Sequence, residues 1–187
     1  MDLIKRIDRK PVYKGNLLTM YDDTILMPDG RKAHWDFLGH KGAAAVVAVR
    51  PDGKILMVNQ FRNAVDRVTL EIPAGCKNEK SEPGEVCAAR ELEEETGYRA
   101  GKLTLLLKLV TAIAYCDETI DLYLAEDLTK TQQHLDEDEY MDVQACDLAD
   151  LIAKIRAGEI RDCKTVAGLM AYYSLVQERK ETDRTEQ

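Results

Sequence analysis

The sequence contains no long apolar run, and its longest apolar stretches, residues 43–49 and 103–107, have the length of a strand. A helix that spans a membrane needs about 20 consecutive apolar residues, so no membrane segment is predicted. The N-terminal decapeptide MDLIKRIDRK is charged and lacks the apolar centre of a signal peptide. We therefore expect a cytoplasmic protein.

Cysteine and histidine are both scarce, and neither is spaced for metal binding. There are five cysteines, three histidines and no CxxC pair. Zinc sites and redox-active pairs use such close spacing, so the sequence favours neither. The odd number of scattered thiols favours a reducing compartment.

An excess of positive charge is also missing, because 34 acidic residues outnumber 26 lysines and arginines to give a net charge of −8. Nonspecific binding to nucleic acid needs a basic face, so this function is not expected. If the ligand is a phosphate compound, its negative charge is repelled by an acidic protein. Bound divalent cations can make the electrostatic potential at the site positive.

Strand signals dominate the sequence, and helices are few. Two Pro-Asp-Gly turns, at 28–30 and 51–53, each separate two strand-like segments. Apolar periodicity predicts helices over 82–96, 147–157 and 162–178, with a polar, frayed tail after them. Because strands and helices do not alternate regularly, we predict an α+β fold and not a doubly wound sheet.

The second half of the first predicted helix concentrates carboxylates on one face. At about 100° per residue, Glu91, Glu94 and Glu95 share one sector, while small apolar side chains occupy another. Like charges at i and i+4 destabilise a bare helix, and a shared cation would reverse that effect. Carboxylate oxygens suit Mg²⁺ or Mn²⁺, although a solvated acidic helix can have the same spacing.

From Gly75 onward the sequence resembles the Nudix hydrolase signature, G-x5-E-x7-R-E-U-x-E-E-x-G-U, in which U is a bulky aliphatic or aromatic residue. The matching positions are Glu82, Arg90, Glu91, Leu92, Glu94, Glu95, Gly97 and Tyr98. Six residues separate Gly75 from Glu82 where the signature has five, and a loop accommodates one additional residue at little cost.

The similarity extends over roughly residues 15–175 and is greatest to the ADP-ribose pyrophosphatase branch, through Gln60-Phe61-Arg62 and Glu71-Ile72-Pro73-Ala74-Gly75. This resemblance implies an α/β/α sandwich around a mixed β-sheet. It assigns residues 41–180 to the Nudix domain and 1–40 to an N-terminal strand extension that exchanges between the subunits of a homodimer. Residues 181–187 are left as a polar tail.

The resemblance also assigns metal ligands. Glu91 and Glu95 are expected to bind Mg²⁺ directly, with Mn²⁺ as a substitute, and Glu94 to bind it directly or through water. The carbonyl of Ala74 is a further expected ligand. Arg62 is expected to contact substrate phosphate, because a guanidinium fork matches two phosphate oxygens.

Two other residues are implied to contact the substrate. Trp35, the single tryptophan, either stacks on the adenine or packs in the dimer interface, since tryptophan suits both environments. Glu118 matches a glutamate near the substrate in relatives, although Ala112-Ile113-Ala114 stands where relatives have Ser-Pro-Gly.

The same resemblance implies that the catalytic base is a glutamate on a loop that closes over the substrate, and the comparable segment here is the acidic segment 136–143. Attack by water requires a proton acceptor, and the carboxylates of the signature are expected to be engaged by metal. Alignment on the following strand selects Glu139, and alignment on the start of the acidic run selects Glu137.

The leading functional prediction is hydrolysis of a small-molecule nucleoside-diphosphate sugar, ADP-ribose, to AMP and ribose 5-phosphate. Other diphosphates, such as GDP-mannose, NADH or a flavin dinucleotide, are the alternative substrates, since side chains around the base and sugar decide between them. A sensor that binds ADP-ribose without cutting it is the third hypothesis. The sequence retains every carboxylate of the signature, which favours an enzyme.

Overall fold

A computed structural model describes residues 3–16, 18–135 and 140–185. The chain divides into two compact units, and each is described by itself. The first consists of Met1–Gly42 and Val110–Thr119, and the second of Ala43–Leu109 and Ile120–Gln187. The division falls close to the predicted domain boundary at residue 40, but the sequence did not indicate that residues 110–119 group with the N-terminal strands.

The first unit contains a three-stranded antiparallel sheet of β1 (Lys5–Lys14), β2 (Thr19–Leu26) and β3 (Lys32–Gly39). The Pro-Asp-Gly turn between β2 and β3 confirms the first predicted hairpin. The Arg9 guanidinium donates two hydrogen bonds to Asp23, at 2.6 and 2.5 Å. It also lies 3.5 Å from the centre of the Phe37 ring, so one side chain joins all three strands.

The second unit is built on a mixed sheet. Its strands are β4 (Ala43–Val49), β5 (Ile55–Arg62), β6 (Arg67–Glu71), β7 (Ala74–Cys76), β9 (Lys102–Val110), β10 (Thr119–Glu126) and β12 (Met141–Cys146). The main strand order is β12-β5-β4-β10-β9. Strand β6 pairs with β5, and β7 with β4. Parallel pairing of β4 with β10, beside antiparallel pairing of β4 with β5, confirms the predicted mixed sheet.

The remaining elements are a 3₁₀ turn (Asn63–Val65), a small pair formed by β8 (Tyr98–Arg99) and β11 (Thr129–Lys130), and three helices. These are α1 (Gly84–Thr96), α2 (Leu148–Arg156) and α3 (Cys163–Thr185). In the described part of the chain, no helix has both the length and the apolarity that crossing a membrane would require.

Two helix ends differ from the sequence predictions. Helix α1 begins at Gly84 and not at residue 82, because Pro83 has an extended conformation and Glu82 accepts a hydrogen bond from Asn78 N in the preceding turn. Helix α3 continues to Thr185, so the prediction of a frayed tail after Glu178 was wrong. No glycine or proline interrupts residues 169–185, and nothing in the backbone stops the helix earlier.

Alternate residues of the central strand β4 face opposite sides of the sheet, as expected for a strand. Ala43, Ala45 and Val47 belong to a core cluster shared with α2 and α3. Ala44, Val46 and Ala48 belong to a second cluster shared with α1. The sheet of the second unit is thus covered by helices on both faces, which confirms the predicted α/β/α sandwich.

Candidate active site

Helix α1 holds its predicted metal ligands at the edge of the core. The side on which Cys87, Ala88 and Leu92 lie is buried against the sheet. Two carboxylates are buried nearby, since Glu91 is 9% exposed and Glu95 only 2%. A carboxylate rarely enters a protein interior without compensating partners, so the surroundings of these two residues define what the site can bind.

Strand β7 lies directly against both carboxylates. The Ala74 backbone N–H donates a 2.9 Å hydrogen bond to Glu95 Oε2. A Cβ added to Gly75 would overlap the Glu91 carboxylate, so this position requires glycine for close approach of the strand to the helix. The structure therefore brings together Ala74, Glu91 and Glu95, three of the residues predicted to bind metal.

Arg90 is the counter-ion within this cluster. Its Nη1 donates to Glu91 Oε1 at 2.6 Å and to Glu94 Oε2 at 3.0 Å, and its Nη2 donates to the Cys76 carbonyl at 3.1 Å. Burial lowers the pKa of the Arg90 guanidinium, but the charge of Glu91 and the hydrogen bonds to Glu91 and Glu94 raise it by more. The pKa therefore lies above its ordinary value. Arg90 therefore stays charged and holds two of the carboxylates in place.

The donor set has the chemistry that a divalent cation requires. Among the residues that the structure describes, no three histidine, cysteine or acidic side chains already converge as a metal shell. Arg90 accounts for this at Glu91 and Glu94, whose oxygens it draws towards itself. Three carboxylate side chains and one backbone carbonyl are hard oxygen donors, and donors of this kind fit Mg²⁺ or Mn²⁺.

Arg62, the predicted phosphate ligand, has an ionic partner that sequence reasoning missed. Its Nε and Nη2 donate to the two oxygens of Glu71, at 2.9 and 2.7 Å. Burial raises the pKa of the Glu71 carboxyl, but hydrogen bonds from Arg62 and the positive charge of Lys164 bring it down to about 2. Two signals were available in the sequence: Glu71 stands between the apolar residues Leu70 and Ile72, and it begins the matched segment Glu71-Ile72-Pro73-Ala74-Gly75.

The predicted substrate contacts Trp35 and Glu118 belong to the first unit. Trp35 lies in β3 and is 50% exposed. Glu118 accepts a 2.6 Å hydrogen bond from Thr111 Oγ1, and its other oxygen lies 3.5 Å from His40 Nδ1. The structure thus places both residues in a unit separate from the one that carries the carboxylates of α1.

The two candidates for the catalytic base, Glu137 and Glu139, lie outside the described residues. The segment before them runs along the end of α1. Gln133 Nε2 donates to the Glu95 carbonyl at 2.6 Å, and His134 N donates to the Glu94 carbonyl at 2.9 Å.

Comparison with known proteins identifies the family of the chain. The NUDIX domain matches residues 39–165. An ADP-ribose pyrophosphatase of Bacillus subtilis (strain 168) is 40% identical over 163 residues, which cover 86% of this chain and 88% of the relative. A methanol dehydrogenase activator of Bacillus methanolicus is 37% identical over 164 residues, which cover 87% and 88% of the two chains.

The fold also matches a solved structure. A crystal structure of an ADP compounds hydrolase has a TM-score of 0.83 and 19% identity, and the match covers 96% of this chain and 97% of that one. At this identity the likeness concerns the fold alone, while the family rests on the NUDIX domain and the relatives of higher identity. The chain belongs to the Nudix family of hydrolases.

Proposed function

We propose that this protein hydrolyses the pyrophosphate bond of ADP-ribose with the help of Mg²⁺. The observation that carries the proposal is the contact of β7 with two buried carboxylates of α1, Glu91 and Glu95. The ADP-ribose pyrophosphatase relative, at 40% identity, supports the choice of substrate. The reaction consumes one water, breaks one P–O bond of the pyrophosphate bridge, and yields AMP and ribose 5-phosphate.

The cation would be held by Glu91, Glu95 and the Ala74 carbonyl, with Glu94 as a direct ligand or a ligand through water. A bound divalent cation neutralises charge on the pyrophosphate and makes water a stronger nucleophile. Arg90 keeps Glu91 and Glu94 in place before the cation arrives, through the hydrogen bonds from its Nη1.

Arg62 binds a phosphate oxygen of the substrate. Glu71 engages Nε and Nη2 of the guanidinium, and Nη1 has no part in that pair. The Arg62 side chain is 38% exposed, so solvent and ligand can reach it. Because Glu71 fixes the plane of the guanidinium, Arg62 loses little conformational freedom when phosphate binds.

Residues 136–143 supply the catalytic base, with Glu139 preferred over Glu137. The described segment before them is tied through Gln133 and His134 to the carbonyls of Glu95 and Glu94 in α1, and this supports the choice of the segment that follows it in the sequence. The base accepts a proton from the attacking water, and Trp35 and Glu118 contact the adenosine or ribose portions of the substrate.

The functional unit is a homodimer joined by the N-terminal strands. Strand β1 exposes apolar side chains, among them Ile7, Val12 and Tyr13, which are 44%, 57% and 67% exposed. A strand of this kind usually pairs or packs with another surface, and a second copy of the chain is the proposed partner.

A substrate panel tests the proposal. The purified protein is incubated with Mg²⁺ and ADP-ribose, GDP-mannose, NADH or a flavin dinucleotide, and phosphate is measured after a phosphatase removes it from the products. We expect the highest kcat/KM for ADP-ribose. A higher value for another diphosphate would move the assignment to that substrate, and tight ADP-ribose binding without turnover would indicate a sensor.

A further inference from the structure

A buried ionic network lies at the start of α3, on the opposite side of the sheet from α1. Its members are Glu71 at the end of β6, and Asp162, Lys164 and Thr165 around the first turn of α3. Glu71, Lys164 and Thr165 are only 2%, 8% and 0% exposed. A buried ion pair is weak support for stability, since apolar residues of similar size often serve as well, and the geometry of this network indicates a more specific purpose.

Lys164 connects the two carboxylates of the network. Its Nζ donates to Glu71 Oε2 and, at 2.9 Å, to Asp162 Oδ2. The same Asp162 oxygen accepts hydrogen bonds from Thr165 N at 3.0 Å and Thr165 Oγ1 at 2.6 Å. Asp162 thus caps the helix, and the orientation of the Thr165 hydroxyl is fixed because its proton is given to Asp162.

The oriented hydroxyl of Thr165 reaches the connection between β6 and β7. Thr165 Oγ1 accepts a 3.1 Å hydrogen bond from the N–H of Ile72. The next residue, Pro73, accepts a 2.9 Å hydrogen bond at its carbonyl from Val46 N, and Ala74 N donates to Glu95 Oε2. Three consecutive residues are therefore tied to α3, β4 and α1 in turn.

From this arrangement we infer that Lys164 and Thr165 are positioning residues for the hydrolase site. Thr165 fixes the Ile72–Ala74 connection and so holds the Ala74 backbone beside Glu95. Lys164 fixes Glu71, which in turn orients the Arg62 guanidinium. The inference rests on the proposed function for the roles of Ala74 and Arg62, but the positioning itself can be measured without turnover.

Two substitutions of Thr165 distinguish the effect of its hydroxyl from the effect of its side-chain shape. Thr165→Val keeps the shape and removes the acceptor of the Ile72 N–H, whereas Thr165→Ser keeps the hydroxyl. In metal-free protein, we expect amide hydrogen exchange at Ile72 and Ala74 to accelerate about tenfold or more in Thr165→Val. The Kd for Mn²⁺, measured by electron paramagnetic resonance, should rise by about tenfold, as when outer partners of a metal site are removed.

Thr165→Ser should remain within about twofold of the wild type in both measurements, because it preserves the hydrogen bonds that matter. Wild-type exchange rates and Mn²⁺ affinity in Thr165→Val would overturn the inference. So would equal defects in the valine and serine variants, since these would trace to packing and not to the hydroxyl.

Lys164→Met tests whether Lys164 orients Arg62 through Glu71. We expect a KM for ADP-ribose about tenfold higher, as for removal of an outer-shell partner, because Glu71 loses the ammonium that holds it. Leu151→Ala is the control: Leu151 lies in α2, is fully buried in the same unit, and has no part in the network. If both variants lose stability alike and neither changes KM, Lys164 is only structural and the inference fails. If Lys164→Met does not fold, the Thr165 pair decides.

The failure of the proposed function would look different. Glu95→Gln should abolish Mn²⁺ binding if Glu95 is a metal ligand. If Glu95→Gln binds Mn²⁺ as the wild type does, the proposed metal site is wrong, and hydrogen exchange at Ile72 and Ala74 alone then tests the positioning by Thr165.

Discussion

At the scale of single residues, Gly75 decides whether strand and helix can meet. The backbone N–H of the neighbouring residue Ala74 donates to Glu95. The Glu91 carboxylate occupies the space that a Cβ atom on Gly75 would need. No other residue type fits there without displacing a proposed metal ligand. The glycine of the signature is therefore explained by a contact and not by backbone strain.

Gly75→Ala should lower both activity and stability. The added methyl forces Glu91 away, and overpacking of this kind costs about 1–3 kcal/mol. The comparison is Gly53→Ala, where φ is +79° and nothing lies within 4 Å of the added carbon. That variant should lose stability through backbone strain while keeping its kcat, and equal kcat in the two variants would contradict the role given to Gly75.

The lowered pKa of Glu71 predicts how the stability of the protein changes at acid pH. The pKa of its carboxyl falls from an ordinary 4.5 to about 2 in the folded protein. A depressed pKa contributes stability that is present above the ordinary value and is lost as the pH falls towards 2. The free-energy difference between wild type and Glu71→Gln should therefore shrink by about 2 kcal/mol between about pH 6 and about pH 3. Urea unfolding at each pH measures it, and a constant difference would mean that Glu71 is not held ionised.

Trp35 can be examined by its own fluorescence, because it is the single tryptophan. If it stacks on adenine, ADP-ribose should quench the emission, and Trp35→Ala should raise KM about tenfold or more, since stacking contributes about 1–3 kcal/mol per base. An unchanged KM in a folded variant would leave Trp35 as a packing residue.

At the scale of elements, local patterns in the sequence were sufficient for α1, which carries the carboxylates, and for two hairpins, but not for β7, which carries Ala74. The spacing of apolar and acidic residues predicted α1, and the Pro-Asp-Gly turns predicted the β2–β3 and β4–β5 hairpins. Strands β7, β8 and β11 have only two or three residues, too few for any periodicity to be visible. Their positions are set by pairing partners far away in the sequence.

Separation along the sequence also explains which parts of the site were missed. Glu91, Glu94 and Glu95 lie within one turn of helix, and a single sequence reveals such proximity. Lys164 and Glu71 are 93 residues apart, and only the folded sheet brings them together. The pairing of Arg62 with Glu71 likewise depends on the hairpin of β5 and β6, so Arg62 was singled out without the residue that orients its guanidinium.

At the scale of the whole molecule, we predict a homodimer. Removal of residues 1–38 deletes the strands with exposed apolar side chains and also deletes Trp35, so the product should be insoluble, or monomeric and inactive. Light scattering after size-exclusion chromatography measures the mass. A monomeric deletion variant with full activity would contradict both the dimer and the contribution of these strands to substrate binding.

We propose that the carboxylates of α1 support hydrolysis of ADP-ribose with a divalent cation. The most direct measurement compares kcat/KM for ADP-ribose at saturating Mg²⁺ in wild type, Glu95→Gln and Glu93→Gln. Glu93 lies on the same helix but pairs with Arg99, so it controls for the chemical change itself. We expect the kcat/KM of Glu95→Gln to fall by more than about hundredfold, which is beyond the range for outer partners of a metal site. The kcat/KM of Glu93→Gln should stay close to that of the wild type. Equal activity in all three proteins would contradict the account.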